Sequence, residues 1–116
     1  MAVVHIYVSA ERFYGFDDLR RFIDKTYSED GEGIPSPFMR EVELNAYDPG
    51  CIEAIASKTS VSITELLRDA SYSQQWLSKL DPTLSADSAI CVFGPNEVLN
   101  PTGCSLEYLG AFVYRP

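Results

Sequence analysis

Near the start of the chain the run VVHIYVS, residues 3–9, alternates as a strand does, and both alternating sets are largely apolar. Val3, His5 and Tyr7 make one set; Val4, Ile6 and Val8 make the other. A strand that is apolar on both sides is a poor choice for a sheet edge, so this one is expected in the middle of a sheet.

The segments that follow carry helix and turn signals. Phe16, Leu19, Phe22, Ile23 and Thr26 recur at spacings of three and four, which predicts a helix over residues 16–27. Asp17 and Asp18 suit its positive end, and the polar, glycine-containing loop 29–33 ends it. Ser36 reads as the cap of a short helix through residues 38–42, with Pro37 at its first position. Tyr47-Asp48-Pro49-Gly50 reads as a turn, and residues 51–57 as a strand with Glu53 projecting from one face.

Ser62-Ile63-Thr64-Glu65 has the pattern of a capping box ahead of the stripe Ile63, Leu66, Leu67 and Ala70. Ser71-Tyr72-Ser73-Gln74 repeats the box. A break is therefore expected at residues 69–71, with a second helix holding Trp76, Leu77 and Leu80 until Asp81-Pro82 stops it. Tyr72 and Trp76 lie one helical turn apart, either as an exposed aromatic pair or with Trp76 in the core. Residues 89–93 and 106–114 read as strands joined by the loop 94–103, with Gly110 at a bulge or close contact. The order predicts an α+β domain over residues 1–116: a small mixed or antiparallel sheet of about four strands, helices packed on one face, and a C-terminal β-hairpin.

The surface chemistry concentrates between residues 29 and 54. That stretch holds Glu29, Asp30, Glu32, Glu41, Glu43, Asp48 and Glu53 against one cation, Arg40, together with the large apolar residues Ile34, Phe38, Met39 and Tyr47. The whole chain has 17 Asp and Glu against 9 Lys and Arg, a formal charge of -8. Such a field repels phosphates and speeds encounter with cationic partners, so nucleic acid is not an expected ligand. Arg12, Arg20, Arg21 and Lys25 cluster at the first helix without extending into a basic stripe. The partner-binding candidates are Glu29, Asp30, Glu32, Glu41, Tyr47 and Asp48.

Three cysteines, Cys51, Cys91 and Cys104, with no CxxC pair, argue against a disulfide framework and a structural zinc site. Cys91 sits in an apolar run as a small hydrophobe, and a reducing cytoplasm is the expected compartment. His5, the one histidine, reads as a packed strand residue. Neither GxSxG, a P-loop nor GxGxxG occurs, and no catalytic residue, metal or cofactor is expected. A small carboxylate enzyme or a metal-binding regulator using Asp48 and Glu53 is one alternative, although the calcium-loop spacing is missing. A generic acidic adaptor is another. The start, MAVVHIYVSA, lacks the basic region of a signal peptide, and no stretch approaches the ~20 apolar residues of a membrane span.

Over most of its length the chain resembles the immunity protein 22 family of bacterial polymorphic toxin systems. VVHIYVS is similar to the family's first strand, and TYSEDGEG to its acidic, tyrosine-containing stretch. The next segment resembles its Ser-x-Phe, Tyr-Asp and Glu-Ala elements, here Ser36, Phe38, Tyr47, Asp48, Glu53 and Ala54. Leu66, Leu67, Ser71, Tyr72 and Ser73 match its Leu-Leu…Ser-Tyr-Ser element, and AICVFGPNE with LEYLGAFVY looks like its paired last strands. Tyr7 and Ser9 stand where such proteins often carry tryptophan and glycine. The resemblance implies a cytosolic antitoxin that binds and blocks the C-terminal domain of a cognate toxin without catalysis. A nuclease is the most plausible target on charge, because nuclease clefts attract phosphate and so tend to be basic. Homodimerisation is left open.

Overall fold

The computed structural model describes residues 2–116. The strands are β1 (Ala2–Ser9), β2 (Thr26–Tyr27), β3 (Gly33–Ile34), β4 (Leu44–Asn45), β5 (Ile52–Ser62), β6 (Ser85–Val92), β7 (Glu97–Val98) and β8 (Glu107–Tyr114). The α-helices are α1 (Phe16–Ile23), α2 (Pro37–Glu41), α3 (Ile63–Leu66) and α4 (Ser73–Trp76). Four strands form an antiparallel sheet in the order β5-β6-β1-β8, and β2-β3 and β4-β7 form two small ribbons. The α+β class, the four-stranded sheet and the inner position of β1 are as the sequence predicts.

Two details of that expectation are corrected. Helices cover both faces of the sheet, not one. Val4, Ile6 and Val8 pack with Ile63, Leu67 and Trp76 on one side. Tyr7 packs with Leu19, Phe22, Ile23 and Phe38 on the other. β6 splits the same way, Ala89 and Cys91 to the first core, Ile90 and Val92 to the second. Each fully buried aliphatic or aromatic side chain contributes about 1.5–3 kcal/mol, so a strand apolar on both sides is stable only where both sides are covered.

The second correction concerns the last two strands, which form no hairpin with each other. β1 lies between them, pairing His5 with Val92 of β6 and with Ala111 of β8. An inner strand has to satisfy the backbone groups on both its edges, and β8 supplies the second set. The connection from β6 to β8 crosses the α1–α2 side. There β7 pairs with β4, and the Tyr7 hydroxyl donates to the carbonyl of Pro101 at 2.8 Å. Gly110, at φ +126°, marks a register shift between β1 and β8, the expected bulge.

Two predicted helix caps form. The Ser36 hydroxyl accepts from the Met39 N–H at 3.1 Å, and the Ser62 hydroxyl from the Glu65 N–H at 3.2 Å. Residues 71–74 build no second box. Tyr72 precedes α4 in the left-handed region, φ 58°, with no side-chain cap. The Ser71 hydroxyl and N–H both donate to the Glu53 carboxylate, a charge-assisted pair that displaces the cap. Trp76 is 0% exposed and its indole N–H donates to the Ser71 carbonyl at 3.2 Å, so it is a core residue. His5 shares a hydrogen bond of 2.9 Å with the Tyr108 hydroxyl, and Cys91 is buried.

Candidate functional site

The helix predicted through residue 27 ends at Ile23 in α1. Asp24 turns extended while its carboxylate pairs with Arg20, and the chain enters the β2-β3 ribbon. Thr26 pairs with Ile34 and Tyr27 with Gly33. The tip is tied to Ser28. Its N–H donates to the Glu32 carbonyl at 2.9 Å, and its carbonyl and hydroxyl accept from the N–H groups of Gly31 and Glu32 at 2.9 and 3.1 Å. Gly31 stands at φ +83°, a conformation glycine adopts without steric cost.

This hairpin brings three of the six candidate residues together. Glu29, Asp30 and Glu32 are all exposed at its tip. At its base Tyr27 is 66% and Ile34 40% exposed, large apolar side chains in water beside three carboxylates. The Lys25 ammonium lies 5.6 Å from the Tyr27 ring centre, over its face. Sequence reasoning placed Tyr27 at the end of a helix and missed its place, exposed, in a surface ribbon. The available signal was a β-branched and an aromatic residue before a Ser…Gly turn.

The other three candidates are each tied to a different partner. The Glu41 carboxylate accepts from the Ser105 N–H at 2.6 Å. The half-buried Tyr47 ring packs against the α1–α2 core, with its hydroxyl 3.5 Å from the Lys25 N–H. Asp48 caps a short 3-10 turn, Pro49–Cys51, by accepting from the Gly50 N–H at 3.0 Å. Its backbone is clasped by the Asn96 side chain at 2.6 and 3.0 Å. Of the apolar residues in the acidic stretch, Phe38 is 0% exposed and lies in the core.

A cavity of about 410 Å³ opens at another place, where the start of β5 and the turn before α4 meet the ends of β6 and β8. Three rings line it. Tyr72 and Tyr114 stack with centres 4.8 Å apart, Phe93 meets Tyr114 edge-on at 5.3 Å, and Tyr72 and Phe93 are 6.1 Å apart. Glu53 and Cys51 also line it. Burial and the nearby Asp48 carboxylate push the Cys51 thiol up, and burial pushes the Tyr114 phenol up, so both stay neutral at pH 7. A second cavity of about 450 Å³, beside α3 and α4, carries Arg68 and has the opposite sign.

Asp48 and Glu53 are engaged by separate partners: one carboxylate caps residues 50–51, the other holds Ser71. Among the described residues, no group of three or more His, Cys, Asp or Glu side chains is placed to hold a metal ion. Among them, too, no helix is long and apolar enough to cross a membrane.

The fold and these surfaces together define a small acidic α+β protein with carboxylates and the Tyr27 ring exposed on one hairpin. The chain belongs to the Immunity protein 22 family, whose model matches residues 4–115. That family places it among the immunity proteins, which act against a toxin. Neither a curated protein nor a solved structure matches the chain.

Proposed function

We propose that this chain, acting as a single domain in the cytoplasm, neutralises the C-terminal domain of a toxin from a bacterial polymorphic system. It does so stoichiometrically, by covering the toxin's working face rather than by catalysis. The observation that carries the reading is the β2-β3 hairpin, where Tyr27 and Ile34 stand exposed beside Glu29, Asp30 and Glu32. Aromatic and aliphatic anchors inside a charged rim are the arrangement that yields affinity at protein interfaces. The carboxylates steer a basic partner and reject anionic competitors. A nuclease suits this charge, since its cleft has to attract phosphate. Of the other candidates, Tyr47 reaches the start of this hairpin, its hydroxyl 3.5 Å from the Lys25 N–H, while Glu41 and Asp48 hold Ser105 and the turn at residues 49–51.

The test is co-expression with the toxin encoded beside the gene, followed by titration of the purified pair. The expected result is rescue of growth and loss of nuclease activity that is complete at equimolar protein. Activity that persists at a large excess of this chain would refute the proposal.

A further inference from the structure

We infer that the cavity between β5 and β8 is a receptor for one arginine side chain of the toxin, an inference that rests on the immunity reading above. Its three rings pack on one another with centres 4.8–6.1 Å apart; Phe93 and Tyr114, 5% and 4% exposed, form the floor, and Tyr72, 36% exposed, is the ring open to a ligand. A guanidinium is planar, weakly hydrated and stacks on such faces, which a compact ammonium does less well. Among the described residues, Glu53 is the one charged side chain on the lining at neutral pH, and no lysine or arginine lines the cavity.

Glu53 has capacity for the ligand. A carboxylate offers about four lone-pair sites. Ser71 takes one on each oxygen, through its N–H at 3.0 Å and through its hydroxyl. Each oxygen keeps capacity for a further donor, which a guanidinium N–H can fill. The wall is also fixed beforehand. Trp76 holds the Ser71 carbonyl, and Ser71 in turn holds Glu53. Tyr72 is held in the left-handed region, φ 58°, a conformation uncommon for a residue with a side chain, and in it the ring lies on Tyr114. A volume of about 410 Å³ admits an arginine side chain. The charge balance selects the occupant: a negative, aromatic recess on a protein of charge -8 accepts a cation and rejects an anion.

The test uses two probes. The first is the capped tripeptide acetyl-Gly-Arg-Gly-amide, titrated into the full chain by NMR, with the citrulline tripeptide as its neutral isostere. Saturable shifts of the Tyr72, Phe93 and Tyr114 ring signals are expected with arginine. Binding should be at least tenfold weaker with citrulline, and tenfold weaker in Glu53→Gln, which keeps an acceptor for Ser71. Equal binding of the two peptides, or no saturable shift, overturns the site. Near-UV circular dichroism checks that Glu53→Gln is folded, and Tyr72→Leu gives an independent loss of the stacking face. The second probe is the toxin domain. At least tenfold weaker binding of toxin by Glu53→Gln supports the occupant, and unchanged affinity overturns it. A parent chain that binds the arginine peptide but no toxin overturns the toxin as occupant and the immunity reading together. A chain that neutralises toxin while ignoring the arginine peptide leaves the immunity reading standing and removes the site.

Discussion

Trp76→Phe is the substitution that most directly probes how the cavity wall is held. The indole is fully buried among Val4, Ile6, Ile63 and Leu67, and its N–H is bonded to the Ser71 carbonyl. Phenylalanine removes that donor and the extra ring atoms but keeps an aromatic body. Two lost ring carbons cost about 1.6 kcal/mol at ~0.8 kcal/mol per buried carbon group. The orphaned carbonyl adds about 1 kcal/mol. The expected loss is therefore about 2–3 kcal/mol, a large share of the roughly 5–15 kcal/mol that holds a domain together. At about 4 °C per kcal/mol the melting temperature should fall by about 8–12 °C. Urea and thermal unfolding followed by far-UV circular dichroism give the number, because removing the only tryptophan removes the fluorescence probe. The Tyr72 ring signals should also broaden as residues 71–72 lose their anchor. A loss below about 0.5 kcal/mol, the range of an ordinary surface substitution, would refute the reasoning.

Further outcomes are expected. Reversing Glu29, Asp30 and Glu32 to lysine should slow association with toxin while leaving dissociation nearly unchanged. The parent's on-rate should fall between 0.1 M and 1 M salt as the screening length drops from about 10 Å to about 3 Å; a salt-independent on-rate in stopped-flow removes the steering argument. Tyr27→Ala should weaken toxin binding by about 2 kcal/mol or more, read as faster dissociation in surface plasmon resonance, with an unaltered melting temperature. Tyr47→Ala should lower stability by about 1–2 kcal/mol in thermal denaturation, since its half-buried ring packs on the core; an unaltered melting temperature would assign the ring to the surface instead. Burial holds the His5 imidazole below its usual value of 6.5, so the unfolded chain takes up the proton first. Its contribution to stability is then full above pH 6.5 and is lost as pH falls below it, and His5→Gln should flatten the difference in melting temperature between pH 7.5 and 5.5.

What the sequence showed, it showed through local physics. The alternation of residues 3–9 specified an inner strand because burial on two faces leaves a two-face pattern. Ser36 and Ser62 announced their helices because a cap is a contact over three residues. The immunity family was legible in the order of short elements along the chain. The β2-β3 ribbon was not, because two-residue strands have no period to read and Thr26 fits the stripe of α1 equally well. The failed cap at Ser71 has another cause. Its hydroxyl is drawn to Glu53, 18 residues earlier, across a contact no local window contains. The pairing of β8 with β1 rather than β6 is also non-local, since a hairpin and an insertion share one strand pattern.

The place of β1 has a consequence for when this protein can act. Its first strand is made early, yet both strands that flank it lie at residues 85–92 and 107–114. Ala2 pairs with Tyr114, nearly the whole chain away, so the sheet closes through contacts of long sequence separation, which form late and slowly. Until β8 leaves the ribosome, β1 has one edge of unpaired backbone N–H and C=O groups, and α1, with the hairpin that follows it, rests on an unfinished sheet. Translation that stalls before residue 107 yields no β8 and so a sheet edge prone to pairing with other chains. The sheet, and any surface it holds in place, is therefore complete only when synthesis has passed β8.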